Sequence, residues 1–182
     1  MHDYTIDSKI FWAADIRRAT SYRDTMLPSV ASLTAKYGTV LSSHFEYHLE
    51  PVNTELFETI FIPCYKRYVV SKSTFYLDEE LIYEKLRKNF SDPDFGSYYL
   101  LWVTAKENPA AVYGATLFRV VQGKDGLKQM VFINKGYDHL ITKELRLKAS
   151  LDYWTEGIIH NFAIEQHCHV IRHGRDKHFR PD

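Results

Sequence analysis

The C-terminal end of the chain is the segment richest in residues that could do chemistry. It reads HCHVIRHGRDKHFRPD and contains one cysteine, Cys168, and four histidines, His167, His169, His173 and His178. Imidazole nitrogens and thiolates are the usual ligands of zinc. In a strand, however, His167 and His169 share one face while Cys168 points to the other, so the thiolate is directed away from both imidazoles. The pattern therefore favours histidines that are exposed to solvent, and it predicts no metal site.

Two other interpretations of this segment stay open. His160 precedes the segment and could complete a site with His167 and His169, which would make the chain a histidine-dependent metal-binding module. The basic residues of the tail could contact phosphates, but the negative charges of Asp176 and Asp182 partly compensate their positive charge. We expect neither, and we expect no metal cofactor.

A cysteine nucleophile is the other chemistry that the sequence offers. Cys64 lies in IFIPCYKRY, close to Lys66 and Arg67, whose positive charges would favour the thiolate. No histidine can be assigned to it as a base from the sequence. A buried, inert thiol is therefore the interpretation that the sequence favours.

The composition describes an ordinary globular chain of one domain's length. Its 182 residues carry 23 Lys and Arg against 23 Asp and Glu, so the net charge favours neither DNA nor a membrane surface as a partner. Two cysteines do not make a disulfide framework, which is typical of a reducing compartment. The N-terminus does not resemble a signal peptide, and no stretch approaches the roughly 18 apolar residues of a membrane span. We expect a soluble cytoplasmic protein.

Periodicity predicts the elements that position the candidate residues. HFEYHLEP alternates apolar and polar side chains, as a half-buried strand does. ELFETIF is predicted to be a short helix that ends before Pro63, and Asp78 to cap a second helix, EELIYEKLRKNF. Three antiparallel strands with turn-like connections are predicted next, at 97–105, 110–121 and 128–134.

The strongest helix signal in the chain spans about 143–166. One stripe of this helix is apolar and consists of Leu147, Leu151, Trp154, Ile158 and Phe162. The opposite stripe is polar and consists of Lys148, Asp152, Glu156 and His160. We expect the apolar stripe to be buried and the polar stripe to be solvated. A short strand, CHVIRHG, follows and ends at Gly174.

The order of these elements predicts an α+β fold, or mixed α/β, built on a single mixed sheet of about five strands flanked by helices. Residues 1–42 are predicted to form an N-terminal helical arm with a helix end at Gly38, and residues 43–182 the main domain. A sheet that ends at residue 172 would expose a strand edge. Such an edge would allow association with another copy or with a partner chain.

With this order of elements, AAVYGATLFRV and GYDHLITKELRLKASLDYWTEGIIHNFAIEQHCHVIRHGR resemble the GNAT acyltransferase superfamily. The order of elements and the residue pattern are most similar to the branch that contains the Fem-type aminoacyl transferases. The resemblance covers roughly residues 44–176. The features that carry the resemblance are Gly114, Tyr137–Asp138, Trp154 and Gly174–Arg175.

The chain departs from the superfamily pattern at two places. LITKELRLKAS stands where acetyl-CoA-dependent members carry a glycine-rich loop, which the Fem-type branch also lacks. Members also continue after the strand that follows the long helix, with another helix and two strands. The chain therefore looks like a domain that is incomplete at its C-terminus, and no tyrosine can be assigned as the general acid.

The resemblance implies a donor site at the start of the long helix, where free N–H groups suit a phosphate-bearing donor. Lys135, Lys143 and Arg146 would add positive charge. The strand backbone beside Gly114, or that of the 128–134 strand, would hold the donor carbonyl. The donor would be an acyl-CoA co-substrate or an aminoacyl-tRNA. The acceptor would be a small-molecule or peptide amine.

Acylation of an amine also needs a base for the attacking nitrogen. Asp138 and His139 lie between the last central strand and the long helix, and Glu46 lies on the polar side of the first strand. The leading hypothesis is an N-acyltransferase that uses one of these three as its base. The alternative is a non-catalytic GNAT-like fragment that serves as a protein-binding module through its sheet edge.

Overall fold

The computed structural model describes most of the chain, namely residues 4–7, 11–68, 84, 87–88, 96–138 and 140–173. Its strands are β1 (Tyr4–Asp7), β2 (Phe11–Asp15), β3 (Phe45–Pro51), β4 (Ser97–Ala105), β5 (Asn108–Gln122), β6 (Lys128–Tyr137) and β7 (Val170–Arg172). Helix α1 spans Pro28–Leu41, and α2 is a continuous run of Thr54–Leu56, Phe57–Phe61 and Ile62–Tyr68. Two helices follow the central strands: α3 (Ile141–Glu144) and α4 (Leu151–Glu165).

The seven strands form one sheet in the order β1-β2-β7-β6-β5-β4-β3. Only β6 and β7 pair in parallel, and α4 makes the crossover between them. The predicted mixed α/β fold with a single mixed sheet is confirmed. The sheet exceeds about five strands because β1 and β2, which fall in the segment predicted as a helical arm, join it. In that segment α1 is helical and extends past Gly38 to Leu41.

The prediction that the sheet exposes an edge at residue 172 is wrong. β7 pairs in parallel with β6 on one side and antiparallel with β2 on the other. Ala14 lies opposite Ile171, and Ala13 lies opposite Arg172. β7 is therefore an interior strand, and the outer strands among the described residues are β1 and β3.

The sheet has a hydrophobic core on each face because its strands alternate with a period of two. On β4, Tyr98, Leu100 and Trp102 pack against α2. Leu101 and Val103 point to the opposite side and belong to the other core, which the sheet shares with α1 and α4. We call these two sides the α2 face and the α4 face.

Helix α2 does not end before Pro63, contrary to the prediction. The stretch Phe57–Phe61 is a π-helix, in which the Ile62 N–H bonds to the Phe57 carbonyl five residues earlier. Proline lacks an N–H and clashes with the carbonyl four residues before it in a regular α-helix. The wider turn just before Pro63 lets the helix continue to Tyr68.

The long helix begins at Leu151 and not near residue 143. Helix α3 ends first, since Arg146 adopts a left-handed backbone conformation with φ 55°. The Leu147 N–H then bonds to the Thr142 carbonyl, which closes the helix as a Schellman motif does. A loop therefore separates α3 from α4.

The helix predicted after Asp78 lies mostly outside the described residues. Glu84, Arg87 and Lys88 are described and are helical. The Arg87 guanidinium pairs with the Glu58 carboxylate on α2. No helix within the described part of the chain is long and apolar enough to cross a membrane.

Candidate functional site

The candidate site lies where β6 and β7 separate. The two strands pair only from Gln129 to Val131, opposite Val170 to Arg172. Beyond this point β6 continues to Tyr137 along β5. Within the described residues, positions 132–137 of β6 thus have a partner strand on one side only. In the described part of the chain the sheet therefore opens into a fork between β6 and the end of β7.

A β-bulge in β6 determines which side chains line the fork. Phe118 of β5 pairs with Phe132, but the preceding Leu117 pairs with Asn134, so Ile133 is an extra residue. The bulge shifts the alternation by one position, which brings Lys135 to the α4 face. There the Lys135 Nζ lies 2.8 Å from the Asp152 Oδ1.

A cavity of about 400 Å³ lies at the start of α4, where β6 has ended. It is lined by Asp138, Thr142, Lys143, Leu147, Lys148, Ala149, Ser150 and Leu151. The N–H groups of the first helical turn have no partner within a helix. The Ser150 hydroxyl makes no capping hydrogen bond to them. These donors and the two lysines are the groups at this end of the fork that could attract an anion.

The structure brings together some of the residues predicted for the site. Asp138 and Lys143 line the cavity, and Lys135 lies on the neighbouring part of β6. The Asp138 carboxylate already accepts hydrogen bonds from the N–H groups of Leu140 and Ile141, at 2.8 and 3.2 Å. Asp138 therefore holds the start of α3 in place, and its role as a base stays a prediction.

The other predicted residues are more dispersed. Arg146 is exposed on the loop before α4, and Glu46 is exposed on the outer strand β3. Gly114 is packed against Tyr137, since a Cβ there would lie 2.0 Å from the ring. This contact gives Gly114 a packing role, and its donor-binding role stays a prediction. His139 lies outside the described residues.

A polar cluster that the sequence did not predict lies inside the fork. It consists of Glu156 and His160 on α4 and His173 just after β7, and one ligand atom of each lies within 4.8 Å of the others. The Glu156 Oε1 is 3.9 Å from the His160 Nε2 and 3.7 Å from the His173 Nε2. The His173 ring stacks on Phe132, with centroids 4.7 Å apart.

Burial decides the charge state of this cluster. It lowers the pKa of His160 well below its ordinary value, and the nearby His173 and Lys135 act in the same direction. Burial also lowers the pKa of His173 to about 4, and Lys135 adds to that effect while Asp152 opposes it. Both imidazoles are therefore neutral at pH 7. Burial raises the pKa of the Glu156 carboxyl, and Lys135 opposes this shift.

The prediction that His160 belongs to a solvated stripe is wrong, because its side chain is only 2% exposed. Helix α4 is covered on two sides, by the sheet and by α1 with the turn Tyr22–Asp24. In the sequence, the glycine at position 157 is the residue that could have indicated the contact between α4 and α1. A Cβ at this position would lie 2.5 Å from the Thr34 Cγ2 of α1, so the two helices approach each other closely there.

Cys64 and Cys168 are both buried in the structure. Burial raises the pKa of Cys64 to about 12, although the nearby Arg67 opposes this shift. Burial also raises the pKa of Cys168. Two protonated thiols inside the cores agree with the expectation of an inert Cys64.

No protein-family model matches the chain, and no curated protein matches it significantly. Among solved structures, it is similar to an aminoglycoside acetyltransferase from an uncultured soil metagenomic sample in complex with sisomicin, at 11% identity and a TM-score of 0.49, over 75% of this chain and 81% of that one. It is also similar to glucosamine-6-phosphate N-acetyltransferase from Arabidopsis thaliana, at 8% identity and a TM-score of 0.41, over 72% and 84% of the two chains.

A third similar structure is a transcriptional regulator from Bacillus halodurans C-125. It is 12% identical, with a TM-score of 0.43, over 72% of this chain and 83% of that chain. Two of these three proteins are acetyltransferases. Likeness at this level identifies neither a family nor a reaction for this chain.

Proposed function

We propose that this chain is an N-acyltransferase that passes an acyl group from a phosphate-bearing donor of the acyl-CoA type to an amine. The observation that carries the proposal is the fork between β6 and β7, which opens toward a cavity at the start of α4. An extended donor needs an unpaired strand edge for its amide groups and hydrogen-bond donors with positive charge for its phosphates. Within the described residues the fork offers such an edge, and the cavity offers Lys143 and Lys148.

The donor's phosphates would lie at the cavity. There the first-turn N–H groups of α4 provide donors, and Lys143 and Lys148 provide positive charge. The acyl carbonyl would lie further along β6, beyond Val131. Within the described residues no strand pairs there with the side of β6 that faces away from β5, so backbone N–H groups on that side could stabilise a developing oxyanion. In this arrangement an amine attacks the carbonyl directly, a base near the carbonyl takes up its proton, and the CoA thiol leaves. Asp138 lines the cavity that the phosphates would occupy, so its role as that base stays a separate prediction.

The protein-binding alternative loses its main support in the structure. It depended on an exposed edge at residue 172, but β7 is paired with β2 there. An aminoacyl-tRNA donor is the alternative within the same reaction class, because its 3′ end would use the same phosphate-binding groups.

Donor binding is tested by a thermal-shift series with acetyl-CoA, a long-chain acyl-CoA, CoA and an aminoacyl-tRNA. A ligand at 100 times its Kd stabilises the fold by about 2.7 kcal/mol, which for a chain of this size is a shift of roughly 5–10 °C. We expect a shift with a CoA ester and its reduction in K143Q, with K36Q on the exposed surface of α1 as the matched control.

Turnover is tested by release of free CoA thiol in the presence of a panel of amines. If only aminoacyl-tRNA shifts the melting temperature, the donor is an aminoacyl-tRNA and not an acyl-CoA, and acyl transfer to an amine remains the proposed reaction. If none of the four compounds shifts the melting temperature, the acyltransferase proposal is wrong.

A further inference from the structure

Two residues of the buried cluster in the fork lie on one face of α4, and the third comes from the chain beyond β7. Glu156 and His160 are four residues apart, which places their side chains side by side on the helix. His173 approaches them from the other wall of the fork. Three ligand atoms of the type that transition metals prefer therefore converge on one point.

The hydrogen bonds of His160 fix which ring nitrogen faces that point. The Thr25 hydroxyl donates to the Tyr22 carbonyl at 2.7 Å and lies 2.7 Å from the His160 Nδ1. The hydroxyl has only one hydrogen, so it must accept from the Nδ1, which makes Nδ1–H the protonated nitrogen. The Nε2 lone pair is then directed into the cluster.

This Nε2 is buried and has no hydrogen-bond partner in the described structure. Leaving a buried polar atom unpaired is costly, so such an atom calls for an explanation. A metal-bound histidine has this arrangement, in which one ring nitrogen bonds the ion and the other donates to a fixed acceptor.

We propose that Glu156, His160 and His173 bind a divalent transition-metal ion of the Zn²⁺ type. Two imidazoles and one carboxylate are a common zinc ligand set, and a three-residue set leaves a coordination position open. Tetrahedral zinc with bonds of about 2.1 Å places its ligand atoms about 3.4 Å apart. The carboxylate oxygen lies 3.9 and 3.7 Å from the two imidazole nitrogens, and all three ligand atoms lie within 4.8 Å of one another. Side-chain rotations that draw the three groups together would reach the tetrahedral spacing.

Lys135 is the group that competes most directly with a bound cation. Its Nζ lies 3.8 Å from the Glu156 Oε2, on the other oxygen of the carboxylate from the one that faces the histidines. It also pairs with Asp152 at 2.8 Å, which keeps part of its charge compensated. The ion would therefore bind at Oε1 while Lys135 stays with Oε2 and Asp152. Glu156 and His173 are 22% and 29% exposed, which leaves a route for the ion to enter.

The metal site goes beyond the proposed acyl transfer and does not depend on it. Metal binding can be measured without any acyl donor, and donor binding can be measured in the presence of a chelator. Failure of one proposal therefore leaves the other unaffected.

The test is a calorimetric titration of the full chain, freed of chelator and of any affinity tag, with Zn²⁺. Co²⁺ absorption serves as a second readout, since it reports the ligand geometry. We expect one ion per chain, and we expect affinity to fall at least roughly 100-fold in E156Q and in H173N, because even outer partners of a metal site contribute about 10- to 100-fold. Both residues are partly exposed, so both variants should fold, and a thermal melt without metal checks this.

H167N is the matched control, because His167 is exposed outside the cluster and asparagine tolerates its left-handed backbone. It should bind zinc as the parent chain does. Mg²⁺ should not bind, because it prefers oxygen ligands. Absence of stoichiometric zinc binding, unchanged binding in either E156Q or H173N, or loss of binding in H167N would each overturn the proposed site.

Discussion

The α2 face and the α4 face of the sheet bury different kinds of groups. On the α2 face, Phe57, Phe61 and Tyr65 stack in a row, with centroids 5.4 and 5.6 Å apart. On the α4 face, the core also encloses His160, whose Nε2 has no hydrogen-bond partner in the described structure. Both faces pack aromatic rings, but the α4 face also keeps polar atoms beside a gap in the sheet.

This difference separates the parts of the molecule that hold the fold from those that could do chemistry. A core of apolar rings gains stability from each buried surface. A buried imidazole nitrogen without a hydrogen-bond partner lowers stability, so its presence points to another role.

Replacement of a ring on the α2 face should be the most damaging change. Phe57 is 0% exposed, so F57A would leave a large cavity and lower the free energy of unfolding by about 3–5 kcal/mol. Urea denaturation measures this loss, and F57L is the milder companion variant. Zinc affinity, measured at a temperature where F57A is folded, should be unchanged. A loss of zinc affinity as large as that in E156Q would show that the two faces are not separate.

The contact between α1 and α4 should show the next largest effect. A Cβ at Gly157 would lie 2.5 Å from the Thr34 Cγ2, so G157A should destabilise the fold by about 1–3 kcal/mol through overpacking. T34S removes the methyl group that the new Cβ would meet. We therefore expect the double variant to be more stable than G157A alone in urea denaturation. If T34S gives no rescue, the close approach of the helices at Gly157 is not what limits substitution.

Local patterns were enough to predict most of the fold. The strands 97–105, 110–121 and 128–134 were recognised because alternation and turn residues are encoded within a few positions. The start of α4 was missed because Arg146 stops α3 where the sequence offers no glycine. β1 and β2 were missed because their place in the sheet depends on pairing with the distant β7.

The polar cluster could not be assembled from the sequence for a related reason. His160 and His173 meet only because α4 crosses over to a strand parallel to β6. Lys135 reaches the same side only because the bulge at Ile133 shifts the alternation of β6. Without that bulge, a simple period of two from Met130 would place Lys135 on the α2 face.

A change within the cluster should affect metal binding far more than stability. E156Q keeps the shape of the side chain and removes a charge whose burial is unfavourable. Lys135 keeps its contact with Asp152. We therefore expect the free energy of unfolding in chelator to change by less than about 1 kcal/mol. A loss comparable to that of F57A would identify the Glu156 carboxylate as part of the structural core and remove the contrast between the two faces.

Thiol reactivity gives the smallest and most local test of the comparison. Cys64 lies on the α2 face, and its pKa is raised to about 12. Only about one thiol in ten thousand is then ionised at pH 8, against about one in four for an ordinary cysteine with a pKa near 8.5. Iodoacetamide should modify both cysteines quickly in urea and leave Cys64 unmodified in the folded chain, as peptide mass spectrometry would show.

Cys168 is the internal control for this experiment, since it lies in the core of the α4 face next to the three-residue strand β7. Burial raises its pKa as well, so both cysteines should react slowly in the folded chain. We expect Cys168 to react first, because opening a strand of three residues exposes it, whereas exposing Cys64 requires α2 to leave the sheet. Earlier modification of Cys64 would mean that the α2 face opens more readily than the strand beside the fork. That result would contradict the assignment of the α2 face to the stable part of the fold.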